Sequence, residues 1–411
     1  MRFQGLIGIV VLLAIAWAFS VEKKRVPWRV IAVGLGLNFG FALLILKTAP
    51  GQFAFDFARR AVSKLISFSG DGASFLFGLL GKPGAQLQLL DSAAHPVSFG
   101  FAVAFQVLPV IVFFSSLIGI LYHLGLMQRI VQGFAFVMRR TMKISGAESL
   151  ATAAEIFVGN IESPMTIRPY LASMTRSELA TIMTAGFATV AGSVMAAYIG
   201  FGIDAGHLLA ASVMNAPAAI IIAKIMFPEI GTPETIHGAA THTEDKAVNV
   251  IDAAANGAIQ GLKVAATVGA MLIAFLSLIA LINYLLGFFG TSLGGIFGYL
   301  CAPIAWCIGI GSGDILAIGQ LLGTKTAVNE LVAYLMLIDL HVKGAIAERS
   351  FVIATYALCG FANFGSIAIT IGGVGQLAPS RRQDLARLGL KTMLGGGLAS
   401  CLSAAIASVL I

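Results

Sequence analysis

The sequence predicts an all-α polytopic membrane protein, with about eight transmembrane helices of roughly 18 or more apolar residues each and two re-entrant helical hairpins in an inverted structural repeat. Three observations lead there. The 411 residues are 58% hydrophobic and only 11% charged, with a mean hydropathy of +0.92. A globule of this size has too little interior for so much apolar surface, which excludes a soluble domain. Apolar stretches long enough to cross about 30 Å of hydrocarbon recur along the whole chain, which points to one integrated membrane domain. Finally, two short segments nearly repeat each other, Gly186-Phe187-Ala188-Thr189-Val190-Ala191-Gly192-Ser193 and Gly360-Phe361-Ala362-Asn363-Phe364-Gly365-Ser366. Each follows a glutamate in an otherwise apolar stretch, Glu162 and Glu330. An acid facing lipid is costly, so both should face a protein-lined cavity. A duplicated half-site is how many transporters build a midplane pocket.

Taken in order, the pattern predicts helices at 3–20 and 30–47, a short amphipathic segment at 53–68 and a third span at 98–125. Met1 to Ser20 has features of a signal peptide, Arg2 before an apolar core and Ala16-Trp17-Ala18 as a cleavage-like site, but the basic cluster that follows favours a retained first helix. From Ser145 the chain opens with a capping-box pattern to Glu148 and breaks at Gly159-Asn160-Ile161-Glu162-Ser163-Pro164, before either half could cross, which describes a re-entrant hairpin. A second capping box, Thr175 to Glu178, opens the fourth span, and a fifth follows at 205–226. Pro228 to Asn256 reads as the longest polar loop. Its His237, His242, Glu244 and Asp245 lack regular metal-ligand spacing and read as surface polarity. A sixth span at 256–287 leads through a glycine-rich connection to a second broken segment, Ser312 to Leu340, interrupted around Gly323-Thr324-Lys325-Thr326 and Asn329-Glu330. The seventh span carries the second repeat copy. The eighth follows Ser380-Arg381-Arg382-Gln383, read as an N-terminal cap.

The formal charge of +7 suggests no nucleic-acid partner, because the basic residues stand singly or in small clusters at the ends of apolar runs. They act as topology signals. Lys23, Lys24, Arg25, Arg29, Arg139, Arg140, Lys143, Arg381 and Arg382 collect on one side if both termini face outward, while Arg59, Arg60 and Lys64 fall on an amphipathic segment that can lie at the interface. This predicts a multi-pass protein of the bacterial inner (plasma) membrane with external termini. Cys301, Cys307, Cys359 and Cys401 lie in or beside apolar segments without paired spacing, so free thiols and no structural metal are expected.

Helix breaks inside a membrane free backbone groups that lipid cannot satisfy, so the hairpin tips must meet protein or a wet cavity. There the freed carbonyls can coordinate a cation, with Asn160, Glu162, Asn329 and Glu330 near the midplane. The alternative is that these polar residues only hold helices together. A carboxylate accepts through two oxygens and suits adjacent hydroxyl donors, as on a ribose, while Asn363 and Ser366 both donate and accept. Phe361 offers a stacking face for a planar ring, although an aromatic among 28 phenylalanines is more often packing. Gly319 to Thr326 lacks Walker A spacing, Gly309-Ile310-Gly311-Ser312-Gly313 lacks a preceding strand, and neither HExxH nor GxSxG occurs. No enzyme and no cofactor are expected.

Phe105-Gln106-Val107-Leu108-Pro109, Ser145-Gly146-Ala147-Glu148-Ser149-Leu150, Gly323-Thr324-Lys325 through Asn329-Glu330, and Gly360-Phe361-Ala362-Asn363 together resemble the concentrative nucleoside transporter family over nearly the full chain. The resemblance implies eight spans, two re-entrant hairpins, a homotrimer held by a scaffold, and an elevator-like transport domain carrying nucleoside with a cation. It divides the chain into 1–144 (scaffold helices and the interfacial segment), 145–227 (first transport repeat), 228–311 (polar loop and long scaffold helix) and 312–411 (second transport repeat). By position, Glu330, Asn363 and Ser366 would bind the ribose. Asn160, Ile161, Glu162, Val194 and Phe361 would surround the base, and Glu155, Val158, Thr189 and Val190 would form the coupling site. Two departures matter. Where the family's first hairpin usually reads Gly-Gln-Thr-Glu, this chain has Gly159-Asn160-Ile161-Glu162, with a shorter amide and an apolar residue. Where sodium-binding members place an asparagine, it has Glu155. A carboxyl in a poorly solvated site can load and release a proton in each cycle, which predicts proton coupling through Glu155. Sodium on its hard oxygens is the alternative. A passive channel and an intramembrane enzyme are the competing classes.

Overall fold

The computed structural model describes residues 2–82, 87–90, 96–99, 103–236, 238–239 and 247–411. In chain order these form α1 (Arg2–Ala18), α2 (Trp28–Lys47), α3 (Ala49–Phe77), β1 (Leu87–Leu90), β2 (Pro96–Phe99), α4 (Val103–Gln106), α5 (Leu108–His123), α6 (Leu126–Met142), α7 (Gly146–Ala154), α8 (Glu162–Met165), α9 (Arg176–Ala188), α10 (Gly192–Gly200), α11 (Ala205–Met226), α12 (Val250–Gly287), α13 (Leu293–Cys307), α14 (Ile315–Ala327), α15 (Glu330–Val342), α16 (Glu348–Leu358), α17 (Phe364–Leu377) and α18 (Arg382–Leu410). Six of the described segments are long and apolar enough to cross a membrane, and α1, α13 and α17 are shorter apolar helices. Beside the helices, β1 and β2 pair as one short antiparallel ladder, which lies ahead of the third span read at 98–125 except for Ser98 and Phe99. His242, Glu244 and Asp245, with His237, lie outside the described residues.

Apolar periodicity explains the long helices, and local chemistry sets their ends. Both capping boxes form: Ser145 Oγ accepts from Glu148 N while Glu148 returns to the Ser145 N–H, and Thr175 and Glu178 do the same. Asn249 caps α12, which begins at Val250, six residues earlier than read, shortening the polar loop. Ser380 makes no cap; it lies in a 3₁₀ turn, and α18 begins at Arg382 without a side-chain cap. The glycine-rich connection after α12 contains a full helix, α13, begun by Ser292. Another unread helix, α6, buries Met127, Val131, Ala135, Met138 and Met142. Its spacing of three and four residues was visible, but Arg129, Arg139 and Arg140 lowered its mean hydropathy. The amphipathic segment is a longer helix, α3, of 29 residues.

The helices sort by depth. Of the hydrophobic stretch in α11, 89% is buried, against 11% of that in α12, so α11 is central and α12 peripheral. α18 packs on α9, α11, α16 and α1; α12 runs along α5, and α13 along α14. The two outer pairs close up through glycines. A Cβ on Gly257 would fall 2.5 Å from Ser115 O, and one on Gly319 would fall 2.6 Å from Gly298 O. Only small residues allow helix backbones this near each other.

Candidate functional site

Four breaks in helices converge on the interior. In the first, α7 ends at Ala154 and the chain turns through Glu155 to Ile161 into α8. The carbonyls freed here find donors: Ser212 Oγ bonds Ile156 O at 2.9 Å, and Gly192 N bonds Phe157 O at 2.9 Å. Ser163 Oγ ties the return limb to Ala151 O at 2.7 Å. Glu162 bends back to accept from Gly159 N at 2.7 Å through Oε2, while its Oε1 accepts from Gln260 Nε2 of α12 at 2.9 Å. Asn160 Nδ2 donates to Thr370 Oγ1 of α17 at 3.1 Å. Ile161 packs on the same helix, against Gly373.

The second break separates α9 from α10, with Thr189 extended (φ −112°, ψ 170°). Thr189 Oγ1 donates back to Ala185 O at 2.9 Å. Glu155 lies beside Ser163 and Thr189 and is 1% exposed. Both neighbouring hydroxyls spend their only proton on carbonyls, so neither Glu155 oxygen receives a hydrogen bond from the described residues. A Cβ on Gly186 would sit 3.3 Å from Glu155 Oε1, so the absent side chain gives the carboxyl room. Val190 is fully buried after Thr189, and Val158 is buried near the Glu162 cavity.

The third and fourth breaks lie between α14 and α15 and between α16 and α17. The third falls at Val328 and Asn329, after the Gly323 to Thr326 stretch, which stays helical. Asn329 Oδ1 accepts from Val332 N at 2.9 Å to start α15, and Asn363 Oδ1 accepts from Ser366 N at 2.9 Å to start α17. Capping fixes the Asn363 amide, whose Nδ2 then donates to Glu330 Oε2 at 3.1 Å. Tyr198 OH of α10 donates to Glu330 Oε1 at 2.8 Å. Glu330 is 4% exposed, and both its oxygens are therefore engaged. Ser366 is buried, Val194 is buried on α10 and Phe361 is half-buried.

A cavity of about 350 Å³ lies between α5, α12 and the first two breaks, lined among others by Tyr122, Gly159, Glu162, Ser193, Asn256 and Gln260. Its volume is within the usual small-ligand range. Glu162 faces it, whereas Glu330, Asn363 and Phe361 are not in its lining. The two acids thus occupy different environments, one open to the cavity and one enclosed by Tyr198 and Asn363. Tyr198, Gln260 and Asn215 were not singled out from the sequence, and Lys325 was named only as part of a motif, without a role. A signal was present for Lys325, whose charge in an apolar helix is as costly as the glutamates'; a tyrosine and neutral amides give a weaker one. Among the described residues no group of three or more His, Cys, Asp or Glu could hold a metal ion, and the four cysteines are unpaired.

Three family profiles tile the chain: "Na+ dependent nucleoside transporter N-terminus" over residues 7–80, "Nucleoside recognition" over 104–205 and "Na+ dependent nucleoside transporter C-terminus" over 207–408. An uncharacterized transporter of Haemophilus influenzae is 45% identical, with 99% of this chain and 97% of that protein covered. Solute carrier family 28 member 3 of Mus musculus is 40% identical over 98% of this chain and 58% of its own length. Sodium/nucleoside cotransporter 1 of Rattus norvegicus is 38% identical over 98% of this chain and 63% of its own length. Among solved structures, CNTnw in an inward-facing substrate-bound state superposes with a TM-score of 0.92 at 38% identity, covering 99% of this chain and 97% of that one. A CNTnw variant in an outward-facing state gives 0.90 at 37% identity over the same shares. With full-length relatives far above the threshold of chance likeness and profiles spanning nearly every residue, this chain belongs to the concentrative nucleoside transporter family.

Proposed function

We propose that the protein is a symporter that carries nucleosides into the cell across the bacterial inner membrane, driven by protons through Glu155. The observation that carries the coupling is the Glu155 carboxyl: 1% exposed, with no donor from the described residues to either oxygen. A bare charge in such a place is costly, so a cation that arrives with the substrate must offset it. One elementary charge moved down 100 mV supplies about 2.3 kcal/mol, enough for a concentration ratio of tens. The fixed Glu330, Asn363 and Ser366 end suits ribose hydroxyls. Asn160, Ile161, Glu162, Val194 and Phe361, beside the cavity or the breaks, form the base end of this reading. Glu155, Val158, Thr189 and Val190 form the coupling site.

In this reading, residues 1–144 and 228–311 act as a scaffold within a homotrimer, and 145–227 and 312–411 move as an elevator. The broken segments α7–α8 and α14–α15 serve as re-entrant hairpins beside eight spans. Structures of CNTnw in inward-facing, intermediate and outward-facing states support a moving body. A second reading, sodium coupling at the same site, is favoured by the sodium-dependent wording of the matching family profiles and by carboxylate affinity for hard cations.

Labelled-nucleoside uptake into proteoliposomes in sodium-free buffer separates the two. An inward proton gradient should drive accumulation, and Glu155→Gln should abolish that dependence while leaving nucleoside binding intact. Uptake that ignores pH and requires sodium rejects the proton reading. Equilibration without accumulation would mark a passive channel, and a chemically altered product an enzyme.

A further inference from the structure

The crossing of the second and fourth breaks is held by two polar side chains. Gly360 adopts φ +117°, and a Cβ there would fall 2.5 Å from Ala188 O and 2.6 Å from Phe187 O. The helix end of α9 therefore lies directly on the α16 break. Asn215 of α11, fully buried, spans both: its Nδ2 donates to Ala188 O at 2.6 Å and to Cys359 O at 3.4 Å. Lys325 of α14, 3% exposed, donates to Ala357 O at 2.9 Å, Cys359 O at 3.2 Å and Ser400 Oγ of α18 at 3.0 Å. All three ammonium protons are spent, two of them on carbonyls at the end of α16, where the helix dipole favours a cation. Cys359 O is shared by both residues. Four residues on stands Asn363, whose amide fixes Glu330.

We propose that Lys325 and Asn215 are positioning residues. By holding Cys359 they set where α16 stops, hence where Asn363 starts α17 and meets Glu330, and so the discrimination of the sugar. Neither residue lines the Glu162 cavity, and Phe361, between Cys359 and Asn363, offers the base only a ring face, which every base can stack on, so the ratio between bases should change far less than the sugar preference. The inference rests on the nucleoside reading above.

The test is equilibrium binding to the purified full chain of four probes: uridine, adenosine and the 2′,3′-dideoxy analogue of each. Wild type should prefer each nucleoside over its dideoxy analogue by about tenfold or more, the scale of a lost hydrogen bond to a charged group. Lys325→Met and Asn215→Leu should shrink that preference by about tenfold and leave the uridine-to-adenosine ratio within about twofold. Ser400→Ala, which removes one of three acceptors, should shrink it by a smaller factor and decides the matter if the larger changes prevent folding. An undiminished sugar preference in the folded variants, or an equal loss for all four probes, overturns the proposal. Wild-type protein that binds no nucleoside removes instead the reading on which it rests.

Discussion

At Glu330, both carboxylate oxygens are taken, by Tyr198 OH and Asn363 Nδ2, and the Asn363 amide cannot flip without losing its bond from Ser366 N. Glu330→Gln puts an NH₂ group opposite one of two donors. Nucleoside affinity should fall about 10- to 100-fold, the value of a buried hydrogen bond to a charged group, as read by calorimetric titration. Tyr198→Phe deletes one donor and leaves the charge, so it should cost less, about tenfold or below. Glu162 likewise has two donors, one backbone N–H and Gln260 from the peripheral helix α12. The acids themselves were legible in the sequence because a charge in an apolar run has so few explanations. Tyr198 was not, because a tyrosine in a membrane segment reads equally well as packing until its hydroxyl is seen to have a single acid to meet. Glu155 was flagged by resemblance. That its oxygens lack donors depends on where Ser163 and Thr189 send their protons, which no spacing rule reveals.

Among the elements, the breaks marked by polar residues were anticipated, whereas those between α9 and α10 and between α16 and α17 fall inside what reads as the continuous fourth and seventh spans. Gly159 through Pro164 announces a stop by composition, and the capping boxes at Ser145 and Thr175 formed as their four-residue pattern requires. The third break falls at Val328 and Asn329, where the Asn329-Glu330 interruption was read, while Gly323 to Thr326 stays helical because Gly323 serves close packing: a Cβ there would strike Phe297 Cβ. Glycine near a membrane helix break has two uses, turning and contact, and sequence alone does not separate them. The α5–α12 pair tests the contact use. A Cβ on Gly261 would lie 2.7 Å from Ser115 Cβ and 2.8 Å from Val112 Cα, whereas Gly287 on the same helix has open space. Gly261→Leu should therefore destabilise by about 1–3 kcal/mol, seen as a lower thermal unfolding midpoint in detergent. Gly287→Leu should leave the midpoint unchanged.

For the whole molecule, composition alone excluded a soluble protein. The division into a buried assembly around α11 and α18 and an outer layer of α12 and α13 was not legible there, because all four helices are apolar and only packing distinguishes lipid from protein as a neighbour. Orientation rests on the basic clusters at Lys23 to Arg29 and Arg139 to Lys143. An alkaline phosphatase fused after Ile411 should be active and a green fluorescent protein fused there dark; the reverse pattern inverts the topology.

The length of α12 carries a last consequence. Its 38 residues extend about 57 Å at 1.5 Å per residue, nearly twice the roughly 30 Å of lipid hydrocarbon. Its first fourteen residues carry Asp252, Asn256, Gln260 and Lys263, and two of these line the Glu162 cavity, so one rod joins the pocket to a long apolar stretch that meets the acyl chains. Shortening or lengthening those chains would tilt the rod and shift Gln260 relative to its acid, making the lipid itself a tuning parameter for the pocket.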